Sequence, residues 1–142
     1  MKVARILQQK GNNVTTVAPE RRVLEVVAEM RSRGIGAVVV VEPDGRIAGI
    51  LSERDVVQAL AEQGERLAQL TARDLMTSDV TVCDPSHDVH YVMRQMSGGR
   101  FRHVPVLDGG ALAGIISIGD VVRARIDELE RETEALQNYI SG

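Results

Sequence analysis

The sequence predicts an α/β (α+β) fold: two tandem βαββα repeats packed with pseudo-two-fold symmetry, with an extended C-terminal helix. Three observations carry that reading. The chain of 142 residues contains one pattern twice. Within each copy, apolar blocks of strand length alternate with stretches whose apolar residues recur at helical spacing. A single copy is too small to bury an apolar sheet face well, so the two should pack as one body.

The duplication is legible residue by residue. Val14-Thr15-Thr16-Val17-Ala18-Pro19 matches Val80-Thr81-Val82-Cys83-Asp84-Pro85, and Val23 and Met30 match Val89 and Met96 at the same offset. Gly49-Ile50-Leu51-Ser52-Glu53-Arg54-Asp55-Val56-Val57 matches Gly114-Ile115-Ile116-Ser117-Ile118-Gly119-Asp120-Val121-Val122. Related lead-ins, Ala4-Arg5-Ile6-Leu7 and Ala72-Arg73-Asp74-Leu75-Met76, precede the copies, and the seam falls near Gln63 to Thr71. The expected division is residues 1–66 for the first repeat with its lead-in, 67–126 for the second, and 127–142 for a helical extension.

Each copy opens with a short strand ending at a proline, Val14–Val17 or Val80–Val82. An amphipathic helix follows, its apolar stripe made of Val23, Val26, Val27 and Met30, or Val89, Val92, Met93 and Met96. Next comes an apolar strand, Ala37–Val41 or Val104–Leu107, with the composition of a strand buried on both faces. Pro43-Asp44-Gly45 or Asp108-Gly109-Gly110 turns the chain into a second strand, Ile47–Leu51 or Leu112–Ile116. A helix then starts at Ser52 or Ser117. Pro105 removes a strand N–H, which suits its strand to an edge or a bulge.

The last helix overruns the repeat. Val122, Ile126, Leu129, Thr133, Leu136 and Ile140 form a heptad seam, and Asp127, Glu128, Glu130, Arg131, Glu132 and Glu134 populate the outer faces. Such a seam wants a partner helix, either from its own body or from a second subunit. The second is the expectation here, a homodimer.

Composition narrows the function classes. Hydrophobic residues make up 44% of the chain and aromatics 2%, so the core must come from Val, Ile, Leu, Ala and Met. A net charge of −3 with no basic tract disfavours nucleic acid as a partner. The lone Cys83 excludes an intramolecular disulfide and suits a reducing compartment. The first ten residues lack the apolar run of a secretory signal, and nothing approaches the roughly 20 apolar residues of a membrane span. The expectation is a cytoplasmic protein with no membrane partner.

The motif Gly-apolar-apolar-Ser-x-x-Asp that closes each copy resembles the CBS domain, and the tandem resembles a CBS pair, or Bateman module. Arg100-Phe101-Arg102-His103-Val104-Pro105-Val106, followed by Gly114 to Val122, is similar to the form found in stand-alone bacterial CBS-pair proteins. The resemblance spans nearly the whole chain. It implies a regulatory module that senses adenosine ligands in clefts between the repeats, without catalysis. AMP is the first expectation, with ADP, ATP, NAD and S-adenosylmethionine in the same class, and a protein target left unidentified. The alternative is a dimerisation or scaffold protein whose clefts stay unoccupied.

Site residues follow from the resemblance together with side-chain chemistry. An ionised Asp120 can accept both hydroxyls of a ribose diol, and Ser117 can donate beside it at a helix start. Read locally, Ser117-x-x-Asp120 is equally a helix cap. Arg102 and His103 stand where this family meets phosphates, with Arg100 an equal candidate. Adenine would sit against Thr77, Val80, Val82 and Val104. The first copy keeps Ser52 and Asp55 but has Gly36 and Ala37 in place of the basic pair, so Arg54, with Thr16 nearby on the first strand, stands in. Two unequal sites are therefore expected, the second better suited to a phosphorylated nucleoside.

Other chemistries find little purchase. Cys83, His87 and His90 are zinc-type residues, but only three ligands occur locally, so no metal is expected. The same residues lack an orienting third group for nucleophilic catalysis. No Gly-x-x-x-x-Gly-Lys-Ser/Thr loop or Gly-x-Gly-x-x-Gly fingerprint occurs. The expectation is that the protein is not an enzyme.

Overall fold

A computed structural model describes residues 1–141. Gly142, the last residue of the expected extension, lies outside the described residues. The elements run α1 (Val3–Lys10), β1 (Thr16–Val17), α2 (Val23–Arg33), β2 (Ala37–Val41), β3 (Ile47–Ser52), α3 (Glu53–Gln63), a 3-10 segment (Gly64–Gln69), α4 (Ala72–Leu75), α5 (Val89–Gly99), β4 (His103–Asp108), β5 (Ala111–Ser117) and α6 (Ile118–Ser141). They form two compact units. The first unit is Val14–Val80, and the second joins Met1–Asn13 to the chain from Thr81 onward.

The first unit holds a three-stranded sheet in the order β1-β2-β3, with β1 parallel and β3 antiparallel to β2. The second has the β4-β5 hairpin. Both hairpins slip register at the equivalent place, between Val40 and Val41 and between Val106 and Leu107. The strand expected at Val80–Val82 does not form; what remains is one bridge, Cys83 to Val106. Pro105 supplies the reason. In the first unit the Val39 N–H donates to the Thr15 carbonyl at 3.1 Å. Pro105 occupies the matching position and has no N–H to give. Only the next pairings survive, Cys83 N–H to the Pro105 carbonyl at 3.0 Å and Leu107 N–H to the Cys83 carbonyl at 2.8 Å.

The spatial units differ from the linear boundaries 1–66, 67–126 and 127–142, because each lead-in packs away from the repeat it precedes. On α1, Val3, Ile6 and Leu7 are buried in the core of the second unit with Val89, Val92, Met96, Val104, Val106, Ile116 and Val121. Val3 and Ala4 N–H donate to the His87 and Pro85 carbonyls, both at 2.9 Å. In the first unit Ala72 and Arg73 N–H donate to the Arg21 and Pro19 carbonyls, both at 2.8 Å. Matching bonds thus equate Val3 with Ala72, one residue off the alignment of the two alanines. Ala72 joins Val17, Val26, Met30, Val38, Val40 and Leu51 in the first core.

The motif glycines exist for these lead-ins. A Cβ on Gly49 would stand 2.7 Å from both the Met76 sulfur and the Thr77 carbonyl oxygen; one on Gly114 would stand 2.6 Å from a Leu7 methyl. Thr77 is held in place by two bonds with Ile50, at 2.9 and 3.0 Å, so its carbonyl cannot retreat. Leu7 can change rotamer. Gly49→Ala should therefore destabilise the protein by about 1–3 kcal/mol, and Gly114→Ala by clearly less. Chemical denaturation of the two variants measures the difference; equal losses would contradict this account.

Candidate functional site

Both Ser-x-x-Asp motifs sit where a strand passes into a helix. In the first unit Asp55 Oδ2 accepts from Ser52 N–H at 2.9 Å and from the Ser52 hydroxyl at 3.0 Å, while Asp55 N–H donates to Ser52 Oγ at 3.4 Å. In the second, Ser117 N–H donates to Asp120 Oδ2 at 2.8 Å, and Asp120 N–H to Ser117 Oγ at 3.2 Å. The capping reading is thus present at both sites, and each aspartate is held at its helix N-terminus by its own backbone.

Beyond the caps the two sites diverge. Asp55 is half-buried, whereas Asp120 is buried at 6% exposure. Lys10 Nζ, from the end of α1, donates to Asp120 Oδ2 at 2.7 Å and to the Ile115 carbonyl at 2.8 Å. Arg123, one turn along α6, donates to Asp120 Oδ1 at 2.8 Å. Burial alone would raise the Asp120 pKa; the hydrogen bonds from Lys10 and Ser117 outweigh it and hold the carboxyl below its ordinary value. Lys10 was not singled out in the sequence. It lies 110 residues from Asp120, and only the exchange of lead-ins brings it there.

The basic candidates gather at the same junction. His103 opposes Ser117 across the β4-β5 ladder, and the Arg102 carbonyl accepts the Ile118 N–H at 2.8 Å. In the first unit Ala37 opposes Ser52, and the Gly36 carbonyl accepts the Glu53 N–H at 2.9 Å. The backbones match; only the side chains differ. Arg100 caps α5 in the left-handed region with φ 58°, where the first unit has Gly34 with φ 65°. A residue with a Cβ costs about 1–2 kcal/mol there. Arg54 is exposed on α3, and Thr16 is exposed on β1.

The residues expected around adenine fall as follows. Val104 faces the core at 1% exposure, because alternation along β4 turns Val104 and Val106 inward. Val82 is exposed, while Thr77 and Val80 belong to the first unit. Cys83, His87 and His90 are not drawn together as a reactive group. Cys83 is buried, and desolvation pushes its thiol up to about 11, far from an active nucleophile. His87 accepts the Asp84 N–H on Nδ1 at 2.8 Å and stacks on Tyr91 at 4.4 Å. His90 Nε2 lies 3.8 Å from Glu128. No described helix is long and apolar enough to cross a membrane.

A family model for the CBS domain matches residues 3–62 and 72–127, each stretch starting at a lead-in. The chain belongs to the CBS-domain family. Among solved CBS structures, a CBS-domain containing protein from Agrobacterium tumefaciens is 46% identical, with a TM-score of 0.84 over 87% of this chain and 92% of that one. A CBS domain protein from Pyrobaculum aerophilum complexed with AMP is 26% identical, with a TM-score of 0.78 over 94% of this chain and 99% of that one. The mitochondrial CBS domain-containing protein CBSX3 of Arabidopsis thaliana is 37% identical over 125 residues, which are 84% of this chain and 60% of the relative.

The ion pair makes the CBS pair sensitive to acid. Asp120 has a lowered pKa in the folded state, so its contribution is complete above the unfolded value of about 3.9 and is lost as pH falls through the folded one. Urea unfolding in steps from about pH 6 to pH 3 should show a shallower acid-side decline for Asp120→Asn than for the wild type. Parallel declines would mean that Asp120 titrates as an ordinary surface carboxylate.

Proposed function

We propose that this chain is a regulatory, non-catalytic module whose second unit binds an adenine nucleotide, AMP first among the class that includes ADP, ATP and NAD. The observation that carries this is the meeting at one strand-to-helix junction of a buried carboxylate, Asp120, with Ser117, His103 and the Arg102 backbone. In this reading Asp120 grips the ribose diol, the Ser117 hydroxyl and the start of α6 face the sugar and phosphate, and Arg102, His103 and Arg100 take the phosphate. Val82 offers an apolar edge to the base. The AMP complex of the Pyrobaculum relative supports the choice of ligand. Ser52, Asp55, Arg54 and Thr16 would make a weaker site in the first unit, which lacks the basic pair. The signal would pass to a protein target, and the lone buried thiol suits a reducing compartment, the cytoplasm.

Calorimetry on nucleotide-free protein should detect AMP at micromolar to millimolar strength, with a matching rise in melting temperature. Asp120→Asn keeps an acceptor for the Ser117 N–H and should leave the fold intact while weakening AMP about tenfold or more. Asp55→Asn should cost much less. Undiminished binding by Asp120→Asn would remove the ribose role.

The second part of the proposal is a homodimer through α6. Val122, Ile126, Leu129, Leu136 and Ile140 are exposed along the seam, and residues 131–141 are exposed on every side, so the helix does not fold back on its own unit. A second copy offers the matching apolar seam. Sedimentation should show a dimer for the wild type and a monomer for Leu129→Glu; a Leu129→Glu dimer would place the interface elsewhere.

A further inference from the structure

Both Asp120 oxygens are already engaged before any ribose arrives. Oδ2 is held by the Ser117 N–H and Lys10, and Oδ1 by Arg123. The Ser117 bond belongs to the helix start and cannot move without unwinding it. Lys10 and Arg123 hold on through the ends of long side chains, with Lys10 31% and Arg123 73% exposed. Two of the three groups bonded to the carboxylate are therefore long-chain cations that can be displaced.

We infer that Lys10 reads the phosphate of the second site together with Arg102, His103 and Arg100. With no ligand bound it neutralises Asp120; when a ribose diol takes the carboxylate, Lys10 moves to the ligand's phosphate. This rests on the nucleotide reading above and narrows it to a class: a 5′-phosphorylated adenine nucleoside, in preference to an uncharged or cationic adenosine derivative. The physical reason is the cost of leaving a charge unpaired. Adenosine would displace Lys10 from its carboxylate and give it nothing in return. A phosphate gives it a charge-assisted partner. A sulfonium ligand would add repulsion from Lys10 and Arg123.

The first unit cannot work this way. Gln58 stands where Arg123 is, and in the register set by Val3 and Ala72 the counterpart of Lys10 is Asp79. Its Asp55 accepts from Ser52 alone among the bonds described.

The test is calorimetry on the full, nucleotide-free chain with AMP, adenosine and S-adenosylmethionine, in the wild type, Lys10→Met and Lys10→Arg. The wild type should prefer AMP to adenosine. Lys10→Met should shrink that preference about tenfold, through weaker AMP binding. The same variant should bind S-adenosylmethionine more tightly, and Lys10→Arg should keep most of the wild-type preference. Opposite signs for an anion and a cation are something a purely structural lysine would not produce. If Lys10→Met weakens all three ligands alike, or leaves the AMP-to-adenosine ratio unchanged, the inference is wrong while the nucleotide reading stands. If the wild type binds none of them, the nucleotide reading falls and this goes with it. Lys10→Gln, which keeps a donor toward the Ile115 carbonyl, gives the same ratio should Lys10→Met not fold.

Discussion

A carboxylate buried at the start of a helix needs a positive partner, and Asp120 receives its partner from the far end of the chain. The pair with Lys10 ties α1 to the β5-α6 junction of the second unit, with a second bond from the same ammonium to the Ile115 carbonyl. Without Lys10 the buried carboxylate would keep only Arg123 and the Ser117 N–H as partners. The arrangement exists only because α1 packs on the second unit rather than on the repeat that follows it. Packing of the lead-in thus decides both the core of that unit and the electrostatics of its site.

Two repeats with one backbone design nevertheless end up unequal. Hairpin register, bulge position, helix cap and the carbonyl that receives the first helical N–H all agree between the units. The differences are in what the side chains add. The second unit has Lys10 and Arg123 on its aspartate, with Arg102 and His103 at the strand start opposite Ser117; the first has Asp79, Gln58, Gly36 and Ala37 in the corresponding positions. Arg100 in a left-handed cap adds to the pattern. The backbone there takes a conformation that Gly34 adopts without strain in the first unit. Pro105 also trades stability, giving up one ladder bond and with it the strand at Val80–Val82.

Helix α6 joins two roles along one axis. It begins at Ile118, with Asp120 in its first turn, and runs out into an apolar seam that its own unit leaves uncovered. Cys83, by contrast, contributes to packing alone, its thiol buried and held protonated well above neutral pH.

Much of this was legible in the sequence. The duplication, the βαββα order, the helix starts at Ser52 and Ser117 and the unpartnered heptad on α6 all follow from local spacing and propensity, which act over a few residues. The family was legible too, because its motif occurs twice. Three features were decided only by tertiary structure. The lead-ins are alike in sequence, and which repeat each packs on is decided in the fold, where Met76 and Thr77 crowd Gly49 and Leu7 crowds Gly114. Val104 reads as a site residue until strand alternation, fixed by the pairing with Ile116, turns it into the core. Lys10 looks like an ordinary exposed lysine at a helix end until folding sets it beside a carboxylate 110 residues away. Local pattern specifies the elements; charge pairing over such a separation is set by the fold alone.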